Sequence, residues 1–164
     1  MSEETLEKLL VDELKDLYSA ENQITKALPK LVKAATSPEL KKAFESHLEE
    51  TKGQIERLEK IFEILEKSPK GKTCNGMKGV LEEGSEVMED YENPQVRDAA
   101  LITAAQRVEH YEMAGYGGVR TYAELLGQTE IARLLQETLE EEKAADEKLN
   151  SISRRVNSEA MKAA

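Results

Sequence analysis

Tryptophan is absent from this chain, and phenylalanine and tyrosine occupy only two and five positions. Sheets are built from β-branched and aromatic side chains, so the dominance here of Leu, Ala, Glu and Lys favours helix throughout. A single cysteine, Cys74, excludes an intramolecular disulfide framework and a cysteine-based zinc site. No apolar run approaches the roughly 20 residues of a membrane-spanning helix. Basic residues are outnumbered, 23 against 33 acidic, for a formal charge of −10. Nucleic acid or an anionic membrane as main partner would need a basic face instead. The acidic start Met1-Ser2-Glu3-Glu4 lacks the basic-then-apolar build of a secretory signal, so a reducing cytoplasm is the expected location.

What the chain has in quantity is helical periodicity, and its 164 residues suit one domain with a sizeable core. Leu6, Leu10, Leu14, Leu17, Ile24, Leu28 and Leu31 recur at steps that predict a first helix over residues 3–35, capped by Ser2. Pro29 falls inside it and is expected to kink or break it near Leu28. Ser37-Pro38 is a capping serine followed by proline at the first helical position, and it opens a second helix over 38–66. Asn93-Pro94 repeats the signal for 94–126; Gly127 stops that helix, and Thr129 caps another over 129–155. The domain is expected to span residues 1–156, with 157–164 a frayed tail. Between Lys67 and Gly79 the pattern lapses, and a shorter helix follows within 76–91. A connection that long can carry the chain the full height of a bundle. The expected architecture is all-α: a four-helix bundle of two antiparallel hairpins with an additional short helix in the crossover.

Acids interrupt the apolar seams. Glu112 takes an inward step of the stripe that runs through Leu101, Ala105, Val108, Gly115 and Val119, and Glu21 sits between Leu17 and Ile24. A carboxylate at such a position is costly unless something positive or hydrogen-bonding meets it. The second helix carries His47 and Gln54 on its stripe and Glu50 on the adjoining edge, and the last carries Glu142 after Thr138. Leu48-Glu49-Glu50-Thr51-Lys52 resembles Leu139-Glu140-Glu141-Glu142-Lys143, which aligns Glu50 with Glu141 and leaves open whether Glu141 or Glu142 faces inward. In an antiparallel hairpin, residues equally far from the turn lie side by side. About Thr36-Ser37, Glu21 falls opposite residues 50–54; about Gly127-Gln128, Glu112 falls opposite Glu142 and Glu109 opposite Asp146. Four helices are thus expected to contribute one inward acid each, Glu21, Glu50, Glu112 and Glu142. His47, Glu109 and Asp146 are candidates for the remaining ligand or supporting positions.

Carboxylates meeting in an apolar interior repel, so they share protons or hold cations. Hard oxygen donors from facing helices are how a bundle holds a pair of iron or manganese ions. A blander account has Arg57, Arg107 or Lys143 neutralising the acids, and His47 reads equally well as an ordinary hydrogen-bonded histidine. His110 lies about 160° around the helix from Glu112 and is expected to face solvent or a partner. Tyr18 and Tyr111 are expected in the core, Cys74 as a structural residue, and Gly115 at a close helix contact.

Asp16-Leu17-Tyr18-Ser19-Ala20-Glu21, His47-Leu48-Glu49-Glu50-Thr51, Val108-Glu109-His110-Tyr111-Glu112 and Leu139–Asp146 together resemble the YciE/YciF-type stress-response family of the ferritin-like superfamily. The resemblance spans nearly the whole chain. It implies a ferritin-like bundle, a homodimer and a dinuclear metal site, with ferroxidase or peroxide-reducing activity as the natural class of chemistry. It departs from the superfamily at one point: no Glu-x-x-His occurs, since Glu50 is followed at that spacing by Gly53 and Glu142 by Ala145. Loss of imidazole hardens the site and counts against oxygen-activating chemistry. The competing expectation is a non-catalytic helical stress protein that acts through dimerisation or a protein partner.

Overall fold

Helix boundaries follow from what can satisfy the unpaired N–H groups at each start. In the computed structural model, which describes residues 4–163, Thr5 accepts from the Lys8 amide and opens α1 (Leu6–Ala34). The expected cap Ser2 lies outside the described residues, and the helix begins later than residue 3. Pro29 does not break α1. It is exposed, while Leu28 and Leu31 beside it are buried, and their packing carries the helix past the missing N–H.

Ser37 caps α2 (Pro38–Leu65), which ends at Glu66 in the left-handed region, φ 54°. Asn93 Oδ1 accepts from the amides of Gln95 and Val96 and opens α4 (Pro94–Leu125). Between them, α3 (Asn75–Asp90) is capped by a thiol: Cys74 Sγ accepts from the Met77 amide at 3.3 Å. Gly127, at φ +71°, turns the chain into α5 (Thr129–Lys162). Thr129 is not its cap. It is already the first helical residue, and Gln128 before it makes no side-chain cap bond. The expected frayed tail is also corrected, because α5 stays helical to Lys162. Buried Val156 extends the stripe of Leu149 and Ile152 into the core, and Lys162 sits favourably at the negative end of the helix.

The chain forms a ferritin-like all-α bundle. Hairpin α1–α2 stacks on hairpin α4–α5, with α1 beside α4 and α2 beside α5, and α3 lies against α4 and α1. The apolar core is in two parts. One, toward the α1–α2 turn, contains Ile24, Leu28, Phe44, Leu101, Leu149 and Ile152. The other, toward the opposite end, contains Leu14, Leu17, Leu58, Phe62, Tyr116 and Leu135. Between them a layer of the bundle is buried but polar: Glu21, His47, Gln54, Glu109, Glu112 and Glu142, with Thr51 and Thr138.

Three contacts fix the register of that layer. The buried carboxylate of Asp98 on α4 accepts from the amides of Thr36 (2.7 Å) and Ser37 (2.8 Å), tying the α1–α2 turn to the other hairpin. Gly115 allows α4 to close on α1, since a Cβ there would stand 2.7 Å from Leu17 Cδ2. Arg57 on α2 donates to Thr138 Oγ1 at 2.6 Å and grips Glu141 with both terminal nitrogens, at 2.8 and 3.3 Å. The Arg57 clamp turns Glu141 outward and leaves Glu142, one residue on, facing the interior.

Candidate metal centre

Glu109 and Glu112 are one helical turn apart on α4 and therefore share its inner face. Opposite them stands His47 on α2, whose Nε2 is 2.9 Å from Glu109 Oε1. Glu142 enters from α5. Each of His47, Glu109, Glu112 and Glu142 offers one donor atom within 4.8 Å of the others, and all four residues are buried. Glu21, fully buried on α1, completes the layer: Tyr116 OH donates to its Oε1 at 2.7 Å, and its Oε2 has no partner.

Nearly every buried side-chain polar atom left without a hydrogen bond among the described residues lies in this layer. They are both oxygens of Glu112 and of Glu142, one oxygen each of Glu21, Glu109 and Gln54, and both nitrogens of His47; Arg97 Nε and Arg120 Nε are the exceptions. His47 Nε2 is close to Glu109 without being aligned as a donor to it, which is why contact and lack of a hydrogen bond coexist. Unpaired buried carboxylate oxygens each carry a desolvation cost. A set of hard oxygen donors with one imbalanced imidazole, converging without protein partners, fits a bound cation.

Without a cation, the electrostatics are those of like charges out of water. Burial first, then repulsion from Glu142, pushes the Glu21 carboxyl up to about 8. Burial is also the leading cause at Glu112 and at Glu109, both held well above the usual carboxylate range, with Glu142 adding to each. At Glu142 burial pushes the same way, yet the adjoining Glu109 and Glu112 carboxyls and then the His47 imidazole outweigh it, and its carboxyl is lowered. Ionisation within the layer is thus favoured at Glu142 over its neighbours. Burial opposes charge on His47, but the adjoining Glu109 and Glu50 hold its imidazole well above the ordinary histidine value. Tyr116 is pushed up by burial and by Glu21, so it remains a hydroxyl donor.

Two expected members stand outside. The Glu50 side chain is 46% exposed, its Oε2 3.5 Å from His47 Nδ1. It lies on the edge of α2 because its position is a turn from His47 but rotated off the inner face, so α2 brings imidazole and amide inward and no acid. Asp146 is oriented toward the rim, where His110 Nε2 approaches it at 3.3 Å and Gln106 Nε2 donates at 3.3 Å. His110 itself is largely exposed, as expected. Arg57 pairs with Glu137 and Glu141, Arg107 with Glu83, and Lys143 is exposed, so the three candidate neutralisers are engaged elsewhere or in solvent. Tyr116 is the residue that sequence reasoning passed over. Its spacing of four from Glu112, on the same face, was the available signal.

Over residues 5–162 the sequence matches a family described as a domain of unknown function, DUF892. It is 50% identical over 154 residues, 93% of each chain, to Protein YciF of Escherichia coli strain K12. The crystal structure of the E. coli stress protein YciF matches with a TM-score of 0.92 and 48% identity, covering 95% of this chain and 99% of that one. YcfI from Rhodopseudomonas palustris follows at 0.88 and 47% identity, over 90% of this chain and 94% of that one. A protein from Xanthomonas campestris pv. campestris shares the fold at 0.78 with 20% identity, over 96% and 97% of the two chains.

Proposed function

The chain belongs to the DUF892 family, the YciE/YciF-type family of the ferritin-like superfamily, and from that premise we propose that its buried acid layer binds two iron or manganese ions. The observation that carries the proposal is the convergence of unpartnered carboxylate oxygens from α4 and α5 with the α2 imidazole on one point of the interior. His47, Glu109, Glu112 and Glu142 would hold one ion, and the free Oε2 of Glu21 supplies the further donor a second ion needs. Ions so held would supply the redox chemistry for ferrous-iron oxidation or peroxide reduction.

The surrounding residues have separable tasks in this reading. Tyr116 fixes the Glu21 carboxylate through Oε1 and leaves Oε2 free to bind. Gln54, donating to Glu141 at 3.1 Å, and the Arg57 clamp hold the α2–α5 seam so that Glu142 stays inward. His47 is the sole imidazole, so the set is harder than the usual superfamily site and suits manganese as well as iron. Stress association comes from the likeness to E. coli YciF, and a cytoplasmic homodimer belongs to the same reading.

The test is metal content by elemental mass spectrometry on protein purified without added metal or chelator, repeated after anaerobic ferrous loading and desalting. About two ions per chain are expected. Sub-stoichiometric metal in both samples overturns the proposal and leaves a non-catalytic helical protein with shared protons in its core.

A further inference from the structure

Beside the acid layer the bundle is not filled. A cavity of about 130 Å³ lies among the helices, with Ile24, Leu28, Phe44, Val108 and Leu149 in its walls. Its inner end is formed by His47 and Glu109, two of the four converging donors. Toward solvent it reaches the seam of α2 and α5, where Ala43, Ala144 and Ala145 are too small to close it and Ser46, Glu50 and Lys148 form the rim. The opposite flank of the acid layer is packed solid by Leu14, Leu17, Leu58 and Tyr116, each at most 1% exposed. Access to the layer is therefore one-sided.

We infer that this cavity receives a neutral, apolar small molecule of about benzene size, or an alkyl end of that bulk, and presents it to the His47–Glu109 side of the centre. Three observations fix the chemistry. A cavity of roughly 150 Å³ accommodates benzene, and the volume here is of that order. Its walls offer no polar partner apart from the two donors at the inner end, so a polar ligand would lose its hydration without compensation. Its rim sets one cation, Lys148, against one anion, Glu50, which gives no preference for a charged ligand. The inference rests on the metal-centre reading only for what the molecule is presented to; occupancy of the cavity does not require metal.

The test uses the full chain stripped of metal by chelation, with benzene as the probe and the methyl resonances of Leu28, Val108 and Leu149 as the readout. Saturating shifts in those methyls are expected, and Ala145→Leu, which fills the cavity, weakens binding roughly tenfold or more. Ala43→Val is the milder filling variant should Ala145→Leu not fold, and the same loss is expected. Absence of saturating shifts, or equal affinity in a folded filling variant, overturns the inference. A second arm uses cobalt(II)-loaded protein: benzene is expected to alter the visible spectrum of the ion, and binding without a spectral change overturns the claim that the ligand faces the centre. Failure of cobalt to load counts against the metal centre alone, and the chelated-protein measurement still decides the cavity.

Discussion

The two hairpins bring different chemistry to the same layer. The first contributes Glu21, His47 and Gln54, the second Glu109, Glu112 and Glu142. One carboxylate stands against three, and two contacts to the inward acids cross between the hairpins: His47 with Glu109, and Tyr116 with Glu21. The approximate repeat in the sequence has thus been broken where it matters, so that neither hairpin can hold the site alone. Any cation bound there bridges the hairpins and adds to the stability of their docking, because it binds the folded state only.

This asymmetry can be broken most severely from the second hairpin. Glu142→Gln, close in shape but unable to carry charge, should lower metal affinity by more than the roughly hundredfold upper end typical of residues that merely support a ligand. Competition titration against a chromogenic chelator measures it, and wild-type affinity in the variant would show that the three acids of the second hairpin are not acting together.

The next largest effect is the response to pH. In the metal-free protein Glu21 is raised from 4.5 to about 8, and Glu109 and Glu112 are raised as well. Groups raised on folding contribute stability that is full below the unfolded value, here 4.5, and lost as pH climbs through the folded one. His47 is raised too, so its contribution is full below 6.5 and is lost only as pH climbs through its higher folded value. Glu142, being lowered, acts oppositely, but its contribution is lost only as pH falls below 4.5. The chelated protein should therefore lose more than about 5 °C of Tm between pH 5 and pH 8. Metal-loaded protein should gain relative to it over the same range, because binding releases the protons. Calorimetric scans of both forms that run parallel across that interval would contradict the assignment.

Tyr116→Phe sharpens the comparison by cutting one of the two crossing contacts. Removal of the hydroxyl that meets Glu21 Oε1 should cost about 1–3 kcal/mol in denaturant unfolding. The smallest effect belongs to Glu50→Ala. With its side chain half in solvent, the change should stay within about 0.5 kcal/mol and leave metal content intact. A loss of metal comparable to that of Glu142→Gln would return Glu50 to the layer.

Glu21 and Glu112 could be placed inward from sequence because each stands on an apolar stripe, and distance from a turn is enough to match their depth to the second and last helices. Ser37-Pro38 and Asn93-Pro94 marked helix starts for the same reason: the signal is local. Glu50 and Asp146 could not be placed that way, since a residue at the edge of a stripe turns in or out according to what faces it across the bundle. His47 fills the inner position on α2, and His110 draws Asp146 to the rim. The choice between Glu141 and Glu142 was settled by Arg57, which lies more than eighty positions away in sequence. Asp98 escaped notice because its partners are backbone amides, which no side-chain pattern reports. The length of α5, by contrast, was readable: Val156 continues a stripe that did not need to end at residue 155.

The thiol that starts α3 has a consequence for how the molecule meets its surroundings. Cys74 is 0% exposed, its sulfur held by the Met77 amide, Tyr111 OH at 3.0 Å and Asp16 Oδ2 at 3.2 Å, and burial raises its proton affinity further. Gly76 lets the chain pass against the Tyr111 ring, where a Cβ would come within 2.6 Å of Cε2, so the cap is seated without slack. The chain's one sulfhydryl is thus withheld from alkylating reagents and peroxides while the crossover is docked. Its labelling rate is a clock that ticks only when α3 lifts away, and a covalent tag at that position records an opening that equilibrium spectroscopy would average out.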